Sequence, residues 1–379
     1  MLTNKGIEVL YITRKYPPSV GGMQRVCYQL AQSLAQITSI KIIAWGGGQY
    51  FLPLFVSWAG LQASFFLLLH RKDKIIVHLG DGLLSPLGVA LKILFDVPVT
   101  VTIHGRDIAF SNKIYQLIIP KALTRLDKVI CVSHQIKYEC IKRGIPSNQC
   151  VVIPNGINNS EFSVEVSEEK KRELIEKITG RIFKKKNYVL LTVGRLVPKK
   201  GIDFFIEKVL LHILAQENNV IYLVVGDGIL RSQIETIIWQ QKLQNHVFLL
   251  GQLALNDNLL KTLYAVADLF IMPNIPVIGD FEGFGVVALE ASASKLYIVA
   301  ARTDGIQDSV KNGINGSLVK PGNVNEFVTT ILNLLREDEK TKQIRKQQAR
   351  QLVETEFGWK TIAITYLNLF NDLITDQIS

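Results

Sequence analysis

The chain contains few of the residues that build metal and redox centres. Its 379 residues include four cysteines, Cys27, Cys131, Cys140 and Cys150, with no C-x-x-C pair and no histidine at metal-ligand spacing. Dispersed cysteines of this kind are typical of reduced core residues in a cytosolic protein. The sequence therefore predicts neither a zinc site nor a redox centre.

An export signal is also missing from the first residues. The segment MLTNKGIEVLYI runs directly into a predicted strand, without a basic segment followed by an apolar segment and a cleavage site. Charged residues make up 20% of the chain and apolar residues 48%, which is the composition of a globular protein rather than a disordered one. Its length is more than one domain usually needs and suits two.

Acidic residues are scarce in the first part of the chain. Residues 1–160 contain 17 Lys or Arg and 7 Asp or Glu, whereas the remainder contains 26 of each, so the net charge of +10 arises in the first part. This excess predicts an acidic partner such as an anionic membrane surface or a phosphate-bearing acceptor. Because the basic residues are scattered and no nucleic-acid-binding motif is present, we expect no nucleic acid partner.

One long apolar run, Phe51–Lys72, is a candidate membrane element. It is near the lower length limit for crossing a bilayer, but Pro53, Gly60 and Gln62 interrupt it. Two interpretations remain open. The run could be a helix in the lipid interface, with Trp58 at the headgroups, on the inner face of the cytoplasmic membrane. It could equally be a helix buried between the layers of a domain.

Short apolar runs alternate with amphipathic stretches along almost the whole chain. This alternation predicts an α/β fold with parallel sheets covered by helices. A charged stretch at 161–187 predicts a linker between two Rossmann-like doubly wound domains, 1–160 and 188–356, that face a common cleft. The last helix, 357–379, is expected to return to the first domain. The predicted strands are Glu8–Thr13, Ile40–Ala44, Ile75–Leu79, Val97–Ile103, Lys128–Val132, Cys150–Ile153, Tyr188–Val193, Val220–Val225, His246–Leu250, Leu269–Met272, Tyr297–Ala300 and Gly316–Val319.

Glycines and charged residues follow several strands of the first domain. Gly21 and Gly22 open a helix after the first strand, where backbone amides can hold an anion, although an ordinary strand-to-helix turn is the alternative. In VTIHGRD, His104 comes directly after a strongly apolar strand, beside a glycine and two charges, which favours a functional role over that of a core histidine. The weaker candidates that close strands of this domain are Arg106, Asp107, Ser133 and Asn155.

Two cations lie close together in the second domain. In TVGRLVPKKG, Arg195 follows a strand and Lys200 precedes the next helix, so both can converge on one small anion such as a diphosphate. Two exposed loop cations are the alternative. The segment VVGDGILR repeats the strand, turn and helix pattern and places Gly226 and Asp227 at the same edge.

The segment FEGFGVVALE carries two acids on either side of a glycine-marked helix start. Gly283 and Gly285 allow the backbone to approach a ligand, and Glu290 follows in an apolar helix where an unpaired carboxylate would be costly. Ribose hydroxyls could supply the hydrogen bonds that Glu290 needs. A neighbouring Arg or backbone amide is the alternative partner.

In their joint order, the motifs resemble those of the retaining glycosyltransferases of family 4, which have the two-domain GT-B fold. They are YPPSVGGMQR, HGRD, VSH, IPNGI, GRLVPKKG, GDGILR and EGFGVVALEA. The chain is similar to bacterial members that build envelope glycans, including the phosphatidylinositol mannosyltransferase-like branch. The resemblance implies transfer of a hexose or N-acetylhexosamine from a UDP- or GDP-sugar to a lipid-linked or saccharide acceptor, in cell-surface polysaccharide or glycolipid synthesis.

The resemblance also implies roles for individual residues. Arg195 and Lys200 would hold the donor diphosphate, Glu290 the ribose and Glu282 the sugar hydroxyls, and His104 would lie near the reacting carbon. The acceptor would dock mainly on the first domain. Further donor-binding positions would be Gly21, Gly22, Gly226, Asp227, Gly251, Gln252, Gly283, Phe284, Gly285 and Val286.

The chain departs from the family pattern at two places. Where Gly-Gly-Ile-Pro-Glu is common, it has Asp304, Gly305, Ile306, Gln307 and Asp308, and Asn158 replaces a usual Asp. No D-x-D motif occurs, so we expect no metal and no cofactor, and the two cations would neutralise the diphosphate. A GT-B epimerase, a phosphorylase with a pyridoxal lysine and a non-catalytic sugar-nucleotide-binding protein remain alternatives.

Overall fold

A computed structural model describes residues 6–19, 21–47, 51–70, 74–181, 187–254 and 257–378. The chain forms two compact units, residues 1–156 with 357–379, and residues 157–356. Each unit contains a six-stranded parallel sheet covered by helices. The predicted α/β fold with two Rossmann-like doubly wound domains is therefore confirmed.

The first sheet has the strand order β2-β1-β3-β4-β5-β6. All strands are parallel, and the order in which the chain adds them switches from one side of β1 to the other, between β1 and β3. Its strands are β1 Glu8–Thr13, β2 Ser39–Ala44, β3 Ile75–Leu79, β4 Val99–Ile103, β5 Lys128–Cys131 and β6 Cys150–Val152. The first six helices are α1 Gly22–Ala35, α2 Leu52–Leu69, α3 Ser85–Phe95, α4 Arg106–Ala109, α5 Lys113–Leu123 and α6 His134–Lys142. Strands β3 and β4 are buried at every position because helices cover both faces of the sheet.

The second sheet has the order β12-β11-β10-β7-β8-β9 and reverses direction between β7 and β10. Its strands are β7 Tyr188–Val193, β8 Val220–Val225, β9 Val247–Leu249, β10 Leu269–Met272, β11 Ile298–Ala301 and β12 Gly316–Val319. Its helices are α7 Glu168–Thr179, α8 Ile202–Phe204, α9 Leu211–Leu214, α10 Arg231–Gln240, α11 Asn258–Val266, α12 Val286–Ala293, α13 Ile306–Ser309, α14 Val324–Arg336 and α15 Glu339–Glu356, with a π-helix, Phe205–Leu210, between α8 and α9.

The last helix, α16 (Trp359–Ile378), belongs to the first unit. It packs on α1 and β3, and the Tyr366 hydroxyl hydrogen-bonds Thr102 at 2.9 Å. Thr102 also contacts His78 of β3, whose ring is fully buried. Burial, with a smaller contribution from the nearby His104, lowers the pKa of His78 to about 3, so His78 is neutral at ordinary pH.

The stretch predicted as a linker, 161–187, lies within the second unit. Its helix α7 begins after Ser167, whose side chain caps it, and Lys171 forms an ion pair with Asp268 at 3.0 Å. The high charge that suggested a linker reflects the exposed face of this helix. Of the stretch, residues 182–186 lie outside the described part of the chain.

The four cysteines are free and buried, as predicted. Among the described residues, no group of three or more His, Cys, Asp or Glu is arranged to hold a metal ion.

Candidate functional site

In the second unit, the loops that follow strands β7, β8 and β10 meet at the carboxyl edge of the sheet. A Cβ atom on Gly226 would lie 1.9 Å from the Gly194 carbonyl oxygen, and one on Gly201 would lie 2.1 Å from that of Pro273. Only glycine permits these approaches, and both residues have a positive φ. The edge includes the point between β7 and β10 where strand order reverses, which is where ligands bind in doubly wound folds.

Lys200 and Glu282 form an ion pair at this edge. Lys200 Nζ lies 2.7 Å from Glu282 Oε2, and the two side chains are only 13% and 16% exposed. Burial alone would raise the pKa of Glu282, but Lys200, with Lys199 and Arg195, lowers it below its ordinary value. Glu282 is therefore a carboxylate held among three cations. The structure brings together the three charged residues that the sequence predicted, Arg195, Lys200 and Glu282.

The neighbouring Lys199 has a different position, which the sequence analysis missed. Its ammonium donates to Asp280 at 2.7 Å and to the Phe281 carbonyl at 3.0 Å, and the residue is 8% exposed. Lys199 thus fastens the loop that carries Glu282. Lys199 and Lys200 are adjacent, and their spacing in the sequence does not indicate which of the two contacts Glu282.

Asp304, one of the departures from the family pattern, also holds this loop. Its carboxylate accepts a hydrogen bond from the Glu282 amide at 3.1 Å, and the Gly305 amide donates to the Glu282 carbonyl at 3.0 Å. Asp304 has φ +47°, a left-handed conformation in which Asp is one of the more tolerated residues. Burial raises its pKa. The departure therefore supplies a side-chain support for the backbone of Glu282.

Glu290 lies on α12 and is 2% exposed. Its Oε2 accepts a hydrogen bond from the Tyr264 hydroxyl at 2.8 Å. Tyr264 belongs to α11 and is fully buried, with its ring against Phe162 and Phe270. Sequence reasoning expected an Arg or a backbone amide as the alternative partner and missed this tyrosine, because only the fold brings α11 beside α12.

The other predicted donor positions lie on the same edge of the sheet or beside it. Gly283 and Phe284 precede Gly285, which has φ +78° at the start of α12, and Val286 is the first residue of that helix. The Gly226 amide donates to the Gly251 carbonyl at 2.7 Å, so the loops after β8 and β9 touch. Asp227 is half exposed and accepts from the Gly228 amide, and Gln252 is exposed.

A further residue at this edge, Asn274, was not predicted. It follows β10, is 2% exposed, and its Nδ2 has no hydrogen-bond partner among the residues that the structure describes. A buried amide of this kind is a donor available to a ligand.

In the first unit, His104 lies at the carboxyl end of β4. Its Nε2 is 3.1 Å from the Gly80 carbonyl oxygen. Burial would lower the pKa of His104, but the Cys27 side chain, Asp107 and the Gly80 carbonyl outweigh it and raise the pKa to about 9. The direction of this pKa shift favours the protonated form of His104. The helix start at Gly21 and Gly22 follows β1 at the same edge.

Asp107 and Ser133 serve the local backbone. The Asp107 carboxylate accepts from the amides of His104 at 2.9 Å and Gly105 at 2.7 Å, and Ser133 caps α6 by accepting from the Ile136 amide. Both residues are buried. Their contact with an acceptor stays a prediction.

Two more predicted acceptor residues remain. The side chain of Arg106 lies outside the described part of the chain. Asn155 is 6% exposed at the end of β6, and the following Gly156 faces Trp359, since a Cβ there would lie 2.6 Å from the indole.

Arg14 and Asp81 form an ion pair at the same edge that the sequence analysis did not single out. Arg14 Nε lies 2.9 Å from Asp81 Oδ1, and the Asp81 side chain is fully buried. Burial raises the pKa of Asp81, although Arg14 opposes the effect. The pair follows β1 and β3, where the strand order of the first sheet reverses.

Both halves of the chain match known protein families. Residues 2–161 match the family described as Glycosyltransferase Family 4, and residues 174–351 match the one described as Glycosyl transferases group 1. Among curated proteins, an uncharacterized glycosyltransferase of Methanocaldococcus jannaschii is 27% identical over 395 residues, covering 96% of this chain and 98% of the relative.

A second relative is the UDP-Gal:alpha-D-GlcNAc-diphosphoundecaprenol alpha-1,3-galactosyltransferase of Escherichia coli, which is 27% identical over 83% of this chain and 79% of its own length. Among solved structures, Anabaena HepE in complex with UDP aligns with a TM-score of 0.74 and 20% identity, covering 96% of this chain and 100% of HepE. At that identity the structural likeness bears on the fold alone.

Proposed function

We propose that the chain is a GT-B glycosyltransferase, because residues 2–161 match a family 4 domain and residues 174–351 a group 1 domain, and that it transfers a sugar from a nucleoside diphosphate donor with retention of configuration. The observation that carries the proposal is the carboxyl edge of the second sheet. There Lys200 pairs with Glu282 at 2.7 Å, and Lys199 and Arg195 help to lower the pKa of that carboxyl. The buried Glu290 lies on the helix that follows the Glu282 loop.

The charges suit the departure of a nucleoside diphosphate. A planar guanidinium and a compact ammonium together offset the negative charge that builds on the diphosphate as its bond to the sugar carbon breaks. The sugar carbon bonds to the acceptor oxygen on the same face, and the leaving phosphate oxygen takes the proton of the acceptor hydroxyl. These cations perform the neutralisation without a metal ion.

The two acids have separate roles in this proposal. Glu282 accepts hydrogen bonds from the sugar hydroxyls once the diphosphate engages Lys200. Glu290 accepts from the ribose hydroxyls, and Tyr264 holds its other oxygen at 2.8 Å. The backbone amides at the start of α12 contact the diphosphate.

The acceptor is proposed to be a glycan or a lipid-linked sugar bound by the first unit. The excess of cations in residues 1–160, 17 against 7 acids, favours a phosphate-bearing acceptor. The name of the Escherichia coli relative specifies such an acceptor, a sugar on diphosphoundecaprenol. Synthesis of a cell-surface polysaccharide or glycolipid is the context that fits this chemistry.

The donor can be identified by thermal-shift titration with UDP, GDP and ADP and with their common sugars, followed by calorimetry. We expect the nucleotides of one base to raise the melting temperature of the wild type in a saturable way. The same nucleotides should bind more weakly to the Lys200→Met variant. Absence of saturable binding to every nucleoside diphosphate and every activated sugar would overturn the proposal.

A further inference from the structure

Helix α2 carries no charged residue along its whole length, although most of it faces outward. The stripe Phe55, Ala59, Ala63 and Leu67 is buried against the first unit. The outward side is also mostly apolar, with Ser57 and Gln62 as its exposed polar residues. A helix on the surface of a soluble unit normally presents polar residues to water, so an outer face of this kind requires another partner.

Two neighbouring helices, α3 and α5, also expose apolar side chains. Helix α2 packs on α3, and α3 packs on α5, so their outer stripes adjoin. We name the exposed apolar residues of the three helices the outer face. They are between 47% and 73% exposed and comprise Leu54, Trp58, Leu61, Phe65, Leu68, Leu69, Ile93, Leu94, Ile114, Leu117 and Ile118. Of the two interpretations left open by the sequence, a helix buried between layers is wrong, and the apolar surface is wider than the one helix considered.

Cations border the outer face. Lys113 and Lys121 lie on α5, Arg125 follows it and Lys74 precedes β3, and all four are exposed. No Asp or Glu is present within α2, α3 or α5. Of the acids that follow these helices, Asp127 is paired with Lys92 at 2.7 Å, and Asp96 at the end of α3 is a single exposed carboxylate against the four exposed cations. Apolar side chains bordered by Lys and Arg are the pattern by which a protein lies in the surface of an anionic bilayer.

From this combination we infer that the outer face of α2, α3 and α5 is a surface that inserts into the headgroup region of an anionic lipid membrane. Helix α2 is long and apolar enough to cross a bilayer, with a mean hydropathy of 1.7 over 18 residues. Spanning would, however, require its buried stripe to leave the first unit. Lying flat keeps those contacts and places Trp58 at the interface, where tryptophan is favoured.

A second copy of the chain fits this surface less well than lipid does. A twofold contact brings the same patch of each copy together. The bordering cations would then face one another with no acidic residue on these helices to pair with them. Anionic lipid removes this repulsion, so charge favours the membrane over a dimer. The inference does not depend on which sugar is transferred.

The test is flotation of the full-length protein with vesicles of phosphatidylcholine, with and without phosphatidylglycerol. We expect the protein to float with the anionic vesicles, and its tryptophan emission to shift to the blue in the wild type but not in Trp58→Phe. The double variant Leu61→Ser, Phe65→Ser should lose more than about tenfold in vesicle affinity. Lys121→Gln, Arg125→Gln should lose most of the preference for phosphatidylglycerol.

The control variant changes two apolar residues of the second unit that are equally exposed, Ile229→Ser and Trp239→Ser, at 82% and 73%. It should float like the wild type. All variants should keep the same thermal shift with the nucleotide that binds, which separates this test from that of the donor site. Wild-type protein that stays with the pellet fraction, or a Leu61→Ser, Phe65→Ser variant that floats unchanged, would overturn the inference. So would a solution dimer that this variant converts to a monomer.

Discussion

Replacing Lys200 is expected to change both stability and turnover, because Lys200 is paired before any ligand binds. In Lys200→Met, the mostly buried Glu282 loses the ammonium 2.7 Å away. Breaking a buried ion pair costs about 3–5 kcal/mol. Since Lys199 and Arg195 still act on Glu282, we expect a loss nearer about 2 kcal/mol in the free energy of unfolding.

The two effects can be separated by four proteins: the wild type, Lys200→Met, Glu282→Gln and the double variant. The double variant removes both charges, so its free energy of unfolding should return to within about 1 kcal/mol of the wild type. Its turnover should not recover. If Lys200 neutralises the leaving diphosphate, adding Lys200→Met to Glu282→Gln should lower kcat by a further factor of about 100.

Turnover would be measured with the sugar nucleotide that gives the largest thermal shift, and stability by urea unfolding of the same preparations. The deciding comparison is the kcat of the double variant against that of Glu282→Gln. If it turns over as fast as Glu282→Gln alone, Lys200 acts only as a support for Glu282, and leaving-group neutralisation by this lysine is refuted.

Three further changes test other contacts. Tyr264→Phe removes the hydroxyl that orients Glu290 and should weaken UDP or GDP binding about 5- to 20-fold. Binding of the 2′,3′-dideoxy analogues should change little. An equal effect on both kinds of nucleotide would contradict ribose binding by Glu290. Asp304→Ala should cost about 1–2 kcal/mol in stability, since alanine is strained at φ +47°. It should also raise the KM for the donor, because Glu282 loses the carboxylate that holds its amide. An unchanged KM would argue against a role of Asp304 in holding Glu282. For His78, the folded pKa of about 3 lies below the unfolded value of 6.5, so the unfolded state binds the extra proton and stability falls as pH drops from about 6.5 to about 3, by about 5 kcal/mol in total. His78→Gln should flatten this part of the stability curve, while His246→Gln in the second unit should leave it in place.

The strands could be predicted closely from the sequence. All twelve are present, with ends within two residues of those predicted. Parallel strands buried on both faces are continuous apolar runs, and β3 and β4 are buried at each of their five positions. The pattern of such runs separated by helices is sufficient to predict two doubly wound sheets and to place Arg195, Lys200 and Glu282 after strands. Residues after parallel strands necessarily lie at one edge of a sheet.

Pairings between side chains could not be predicted in the same way. Tyr264 meets Glu290 because α11 and α12 pack together, and no spacing in the sequence reports that contact. The choice between Lys199 and Lys200 depends on the short 3₁₀ turn Pro198–Lys200. The apolar outer face was underestimated because α3 and α5 are each too short to attract notice as membrane elements, and only their packing joins them to α2.

The departure from the family pattern at Asp304 illustrates why a motif and its supports have to be considered together. In the sequence alone, Asp304 is only a departure from the Gly that is common at this place in the family. In the structure the Asp304 carboxylate binds the Glu282 amide, and the following Gly305 binds the Glu282 carbonyl. Because a glycine at 304 would keep the backbone contact but remove the side-chain one, Asp304→Gly should relieve the strain of φ +47° and still loosen Glu282. A gain in stability combined with a rise in the donor KM would therefore identify the carboxylate, rather than the backbone conformation, as the feature that holds the acid in place.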